Sequence, residues 1–155
     1  IGEALGLSAQ ARRQALAGSL LLSADNGHAV HPNFPEKADP ANKVYPNGGV
    51  VIKYSANQKY TTTGLTAGLF QAICQKAGVP VQVFANRADE PGGSTLGNLL
   101  GHQVSIPMVD IGMAQLAMHS AVETAGSRDP EYMARACAAF FQAEFTQTAD
   151  GVYQF

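Results

Sequence analysis

The stretch Leu20-Leu21-Leu22-Ser23-Ala24-Asp25-Asn26-Gly27-His28-Ala29-Val30-His31-Pro32-Asn33 begins with a leucine run and continues into one carboxylate and two imidazoles. The leucine run has the length and boundaries of a short buried strand, which places Asp25 just past the carboxyl end of that strand. In open α/β sheets, ligands bind at the carboxyl ends of the strands. Asp25, with His28 and His31 close behind it, therefore marks a candidate site.

The rest of the chain alternates apolar, strand-like runs with segments of helical period. Strands are predicted over residues 19–24, 50–54, 79–85 and 109–113, and helices over residues 8–17, 63–77, 96–100 and 129–145. Residues 32–49 are rich in Pro, Asn, Asp and Gly and are predicted to form an irregular loop. This order predicts an α/β fold, a layered domain with a mostly parallel sheet flanked by helices.

Local signals mark the ends and the buried face of these helices. Ser8 and Asp129 are predicted N-caps because their side-chain oxygens can accept from free backbone N–H groups. Gly78 is predicted to end the second helix. The stripe of that helix expected to face the core consists of Leu65, Leu69, Ile73 and Ala77.

Length and charge exclude several classes of protein. The 155 residues suit one domain, and the formal net charge of −2 comes without the basic stripe that nucleic acids or anionic membranes require. No apolar run is long enough to span a bilayer. Cys74 and Cys137 have no zinc-binding spacing, which favours a reducing, cytoplasmic compartment. We therefore expect neither nucleic acid nor membrane as a partner.

Two residues that follow different predicted strands could bind a metal ion. Asp25 follows the first strand and His119 follows the fourth. A carboxylate oxygen and an imidazole nitrogen suit zinc, but Asp25 could equally cap a turn and His119 could pack at a helix start. His28 and His31 could be ligands, substrate contacts or loop-packing residues. Spacing alone leaves these alternatives open.

Lys53 and the segment Gly92-Gly93-Ser94-Thr95 are weaker candidates. Lys53 ends an apolar strand, and it is either an ordinary lysine with its ammonium in water or a cation aimed at an acidic substrate group. The glycine segment precedes a short helix and is either a simple turn or an anion-holding loop. The nucleophile elbow Gly-x-Ser-x-Gly is absent, so a serine hydrolase is not expected.

Three segments resemble the aspartyl aminopeptidase family of dinuclear zinc metallopeptidases. They are Ser23-Ala24-Asp25-x-x-His28-Ala29-x-His31-Pro32-Asn33, Val51-Ile52-Lys53-Tyr54, and Gly112-Met113-x-Gln115-Leu116-x-Met118-His119-Ser120. The similarity runs in order from about residue 19 to residue 145. It implies a fold like that of other zinc exopeptidases.

The resemblance also implies roles for individual residues. Asp25 matches a zinc-binding aspartate, and His119 matches the histidine that binds the other zinc ion. His28 and Lys53 match residues that contact substrate, and the lysine is associated with preference for N-terminal Asp or Glu. The implied protein is thus a two-zinc aminopeptidase for acidic peptides. Members of the family generally assemble as homo-oligomeric dodecamers in the cytoplasm or a related compartment.

Several family features are missing from these residues. Pro91-Gly92-Gly93 replaces the usual Pro-Cys-Gly, and Val122-Glu123 replaces an Arg-Glu pair. The family also needs a further histidine, a bridging aspartate and a Glu-Glu pair, one of which is the general base. Residues 1–155 therefore resemble the C-terminal part of a catalytic domain, and we expect this chain alone to be inactive. The alternative is a non-catalytic fragment or interaction module.

Overall fold

A computed structural model of the chain describes residues 1–149 and 151–154. Four helices and nine strands lie within these residues. The helices are α1 (Ala9–Ala17), α2 (Gly64–Lys76), α3 (Leu96–Gly101) and α4 (Asp129–Gln142). The strands are β1 (Leu21–Ala24), β2 (Gly27–His28), β3 (Val50–Tyr54), β4 (Val81–Ala85), β5 (Met108–Gly112), β6 (Ala114–Leu116), β7 (Thr124–Ala125), β8 (Thr146–Ala149) and β9 (Val152–Gln154). A 3₁₀ turn (Pro35–Lys37) lies within the long loop.

A four-stranded sheet with the order β1-β5-β3-β4 forms the centre of the fold. The β1–β5 and β3–β4 pairs are parallel, whereas β3 and β5 are antiparallel. The prediction of a mostly parallel α/β sheet is confirmed, with one antiparallel pairing added. A smaller sheet, β2-β6-β7, and a hairpin, β8-β9, complete the strands described.

The central sheet has two buried faces of different character. On the first face, α2 and α4 pack on apolar side chains of β3 and β5: Val50, Ile52, Val109 and Ile111. On the opposite face, the same strands present Val51, Lys53 and Asp110, beside Ser23 of β1. Alternate residues of a strand point to opposite faces, so each strand contributes to both environments. We call them the apolar face and the polar face.

The local helix signals were only partly confirmed. Ser8 caps α1, because its Oγ accepts from the N–H of Ala11 at 3.1 Å. Asp129 is not an N-cap. It is the first residue of α4, and its carboxylate accepts instead from Asn47 N (2.7 Å) and Gly49 N (3.2 Å) in the long loop. Tertiary hydrogen bonds to free loop N–H groups thus replace the local capping bond.

The predicted stripe of α2 was also partly wrong. Ile73 is buried as expected, but Leu65 is 40% exposed. Phe70 and Cys74 are fully buried instead, so the buried face is rotated relative to the predicted one. In a helix this apolar, several stripes satisfy the same periodicity, and packing against α4 and the sheet selects one of them. Within the described residues, none of the four helices has the length and apolar character needed to cross a membrane.

Candidate metal and substrate site

Asp25 lies just beyond the carboxyl end of β1, as predicted. Its N–H donates to the carbonyl of Ile111 at 2.9 Å, so the residue extends the parallel pairing of β1 with β5. Gly112 makes this approach possible, because a Cβ there would lie 2.8 Å from the carbonyl carbon of Asp25. The Asp25 side chain remains 59% exposed. The carboxylate is therefore held at the sheet edge by backbone contacts while it stays open to a ligand.

Asn26, to which the sequence analysis assigned no role, fixes the turn after Asp25. Its Oδ1 accepts from Met113 N at 3.0 Å, and its Nδ2 donates to Oε1 of the buried Gln115 at 2.5 Å. These bonds join the β1–β2 connection to the β5–β6 connection. The segment between Asp25 and His28 is therefore held in place by Asn26.

Lys53 is buried on the polar face, with only 1% of its side chain exposed. Its Nζ lies 3.5 Å from Oδ2 of Asp25, 3.4 Å from the carbonyl oxygen of Asn26 and 4.7 Å from the centre of the Tyr60 ring. An ordinary strand-end lysine would keep its ammonium in water, so that alternative is wrong. Burial lowers the pKa of Lys53, and the charges of Asp25 and Asp110 oppose that effect. The structure thus joins two sequence-predicted residues, Asp25 and Lys53, in one ion pair.

Asp110 is a second charged residue of the polar face, and sequence reasoning gave it no role. It is fully buried on β5 and lies in register with Ser23 of β1. Its carboxylate accepts from Thr61 N (2.6 Å), Thr61 Oγ1 (2.8 Å) and the hydroxyl of Thr95. The one available signal was a carboxylate inside the apolar run of residues 109–113, since buried charges need partners.

The glycine segment before α3 is tied to the sheet rather than open to an anion. Besides the Thr95 bond to Asp110, the N–H of Gly97 donates to Ser23 Oγ at 3.0 Å. A Cβ on Gly97 would lie 2.9 Å from that oxygen. This contact uses an N–H that an anion would need, which favours the simple structural turn.

His28 and His31 line a cavity of about 310 Å³. His28 is exposed on β2, opposite Gln115 of β6. His31 accepts from Asn33 N at 3.1 Å and its ring lies 5.2 Å from that of Phe34, which are loop-packing contacts. Of these two histidines, His28 is therefore the one whose position allows contact with a ligand.

His119 lies in the turn between β6 and β7, beyond the end of β6. Its φ of 68° is uncommon for a residue with a side chain, and its N–H donates to Oε1 of Glu123 at 2.6 Å. His119 is an exposed residue. Glu123 thus fixes an unusual backbone conformation at the one histidine of this turn.

The donor types at Asp25 and His119 fit zinc, since one is an accessible carboxylate and the other an accessible imidazole. No hydrogen bond or ion pair joins these two residues in the part of the chain that the structure describes. Within residues 1–149 and 151–154, no three His, Cys, Asp or Glu side chains lie together as a metal site. The assignment of Asp25 and His119 as zinc ligands stays a prediction, and a complete site would need additional donors.

The fold is that of solved aminopeptidases. The chain aligns with a chain of the cryo-EM structure of the Ape4 and Nbr1 complex at a TM-score of 0.87 and 39% identity, covering 90% of this chain and 26% of that one. It aligns with the S. cerevisiae mApe1 dodecamer at a TM-score of 0.75 and 30% identity, covering 84% and 28%. The layered α/β domain therefore corresponds to one part of a larger aminopeptidase fold.

A family model described as "Aminopeptidase I zinc metalloprotease (M18)" matches residues 2–141, and the chain belongs to this family. A probable M18 family aminopeptidase 2 of Mycobacterium leprae is 48% identical over 129 residues, which are 83% of this chain and 30% of the relative. The corresponding protein of Pseudomonas aeruginosa is 46% identical over 128 residues, again 83% and 30%. The chain thus spans about a third of the length of these curated relatives.

Proposed function

We propose that residues 1–155 form the C-terminal part of the catalytic domain of a zinc aminopeptidase that releases N-terminal Asp or Glu from peptides. The observation that carries this proposal is the buried ammonium of Lys53 beside the exposed carboxylate of Asp25. Membership of the M18 family supports aminopeptidase activity. The preference for acidic residues is our inference from the position of Lys53.

The surroundings of Lys53 suit a carboxylate ligand. A lysine ammonium has three donors, and the Asp25 carboxylate and the Asn26 carbonyl occupy two directions at 3.5 and 3.4 Å. The Tyr60 ring covers another side. The remaining donor can meet the side-chain carboxylate of a substrate. A neutral side chain would leave the third donor of this desolvated cation without a partner, so the site discriminates against it.

The other candidate residues take roles around Lys53. Asp25 and His119 would hold zinc, of which two ions are expected in the complete enzyme. Bound zinc supplies Lewis acidity and lowers the pKa of a coordinated water. His28, on the cavity beside β2, would contact the peptide. Asp25 would connect the metal ions with the substrate-binding lysine, because its exposed carboxylate also pairs with Lys53.

The test is a specificity measurement on the full-length protein with Lys53→Met. Methionine keeps the length and apolar stem of lysine but removes the charge. We expect the ratio of kcat/KM for an N-terminal Asp substrate to that for an N-terminal Ala substrate to fall about 100-fold, since an unpaired buried charge typically costs about 3 kcal/mol or more. Lys43→Met, at an exposed lysine, is the matched control and should leave the ratio unchanged. Equal losses on both substrates in Lys53→Met would refute the proposal.

The isolated chain is proposed to be inactive, with a non-catalytic interaction module as the alternative role. The observation behind both is that the described residues contain no cluster of three metal-binding side chains. The purified 155-residue chain, supplied with zinc, should not cleave an N-terminal Asp substrate. Turnover that disappears in His119→Ala would show instead that this chain carries a complete site.

The assembly is proposed to be a homo-oligomer in the cytoplasm. The mApe1 neighbour is a dodecamer, and Cys74 and Cys137 are both free thiols, as a reducing compartment allows. Light scattering of the full-length protein should give the mass of about twelve subunits, as in that neighbour. A monomer at micromolar concentration would contradict this part of the proposal.

A further inference from the structure

Asp110 connects the centre of the sheet to the segment that covers Lys53. It fixes Thr61 at two points, through the backbone N–H at 2.6 Å and the hydroxyl at 2.8 Å, both donating to Oδ2. The backbone N–H of Asp110 in turn donates to Oγ1 of Thr62 at 2.9 Å. Residues 61 and 62 are thus attached to β5 by three hydrogen bonds on the buried polar face.

Tyr60 immediately precedes this anchored pair. Its ring is 7% exposed and lies against the Lys53 ammonium, 4.7 Å from Nζ. Tyr60 also packs near Phe84, with 6.4 Å between ring centres. Because the backbone N–H of Thr61 is bonded to Asp110, the chain at Tyr60 is held next to an anchored residue. The ring closes one side of the space around the cation.

We propose that Asp110 is a positioning residue for substrate specificity, which holds Thr61, and through it the Tyr60 ring, so that the Lys53 ammonium points to the acidic side chain of the substrate. This inference rests on the proposed role of Lys53. Asp110 itself does not touch substrate in this account. Asp110 acts on the position of the cation and, through its charge, opposes the lowering of the Lys53 pKa by burial. Its replacement should therefore alter the binding of acidic substrates more than the chemical step.

A second buried carboxylate provides a control. Asp129 is also fully buried and also accepts backbone N–H groups, from Asn47 at 2.7 Å and Gly49 at 3.2 Å. It lies at the start of α4 and its partners belong to a different loop. A carboxylate that merely stabilises the fold should behave like Asp129 when it is replaced.

The experiment compares Asp110→Asn and Asp129→Asn in the full-length protein. Asparagine keeps the shape but places an NH₂ group where one of the accepting oxygens stood. We expect Asp110→Asn to raise KM for an N-terminal Asp substrate and to lower the Asp-to-Ala ratio of kcat/KM about tenfold, with kcat for the Ala substrate little changed. Asp129→Asn should leave that ratio within about twofold, even where it lowers thermal stability.

Equal losses on both substrates in Asp110→Asn would overturn the inference, because that is the pattern of a structural residue. If Asp110→Asn does not fold, a comparison of Thr61→Val with Thr61→Ser tests the inference instead. Valine removes the hydroxyl bond to Asp110 and should lower the ratio, whereas serine keeps the hydroxyl and should preserve it. Identical ratios in these two variants would also overturn the inference. Lys53→Met, measured in parallel, separates this outcome from failure of the proposed function, since it alone tests whether the cation selects acidic substrates.

Discussion

The two faces of the central sheet are both buried, but only one of them contains charged side chains. On the apolar face, β3 and β5 meet Phe70 and Cys74 of α2, and the contacts are those of an ordinary hydrophobic core. On the polar face, the same two strands present Lys53 and Asp110, both 1% exposed or less. Charged side chains are rarely buried without a structural or functional partner. The comparison shows that alternate residues of the same strands build an apolar core on one face and bury charged side chains on the other.

The largest expected effect is a loss of stability when a side chain of the apolar face is removed. Phe70→Ala should lower the free energy of unfolding by about 3–5 kcal/mol, because it removes a fully buried ring and leaves a cavity. Phe141→Ala is the matched control, since that phenylalanine on α4 is 82% exposed. Urea denaturation of both variants measures the difference. Similar losses in the two would contradict the assignment of the apolar face as the core.

A smaller effect is expected where the polar face meets the sheet edge. Gly112→Ala should destabilise the protein by about 1–3 kcal/mol and weaken zinc binding, because the new Cβ would overlap the backbone of Asp25. Gly27→Ala is the control, since its nearest neighbour would be Lys53 Cδ at 3.7 Å, an ordinary contact. Calorimetric titration of zinc into the full-length variants tests this. Unaltered zinc affinity in Gly112→Ala would argue against Asp25 as a ligand.

The smallest expected effect is a difference in reactivity between the two cysteines. Burial raises the pKa of Cys74 to about 12, whereas Cys137 is only half-buried and its pKa is raised less. At pH 8 iodoacetamide should therefore modify Cys137 first and Cys74 only after unfolding. Above pH 9 the Cys74 thiol stays protonated in the folded state and ionises in the unfolded state, so this group makes stability fall as pH rises. Mass spectrometry of the alkylated peptides checks the order, and faster labelling of Cys74 would contradict it.

Much of the fold could be predicted from local pattern. The strand at residues 50–54 was predicted with its observed bounds, and α2 differs by one residue at each end. The short strands β2, β6 and β7 were missed, because two or three residues give no periodicity. The antiparallel pairing of β3 with β5 joins strands more than 50 residues apart along the sequence. No local signal specifies such a contact.

The sequence singled out Asp25 and Lys53 as candidates but did not predict their environment. Asp25 was placed at the end of its strand correctly, and the resemblance singled out Lys53. Its burial was not predictable, since lysines are mostly exposed and the partners that compensate it, Asn26 and Tyr60, come from separate segments. Asp110 was overlooked because its threonine partners are likewise distant in sequence. Tertiary hydrogen bonds decide these environments.

The most direct test of the central claim is a structure of the full-length protein with a non-hydrolysable peptide that begins with Asp. The decisive distance joins Lys53 Nζ to the side-chain carboxylate of that residue. We predict a direct ion pair, with a separation of about 2.7–3.5 Å. A separation beyond about 6 Å, too long for any hydrogen bond, or a substrate carboxylate bound by another cation such as Arg87, would contradict the account.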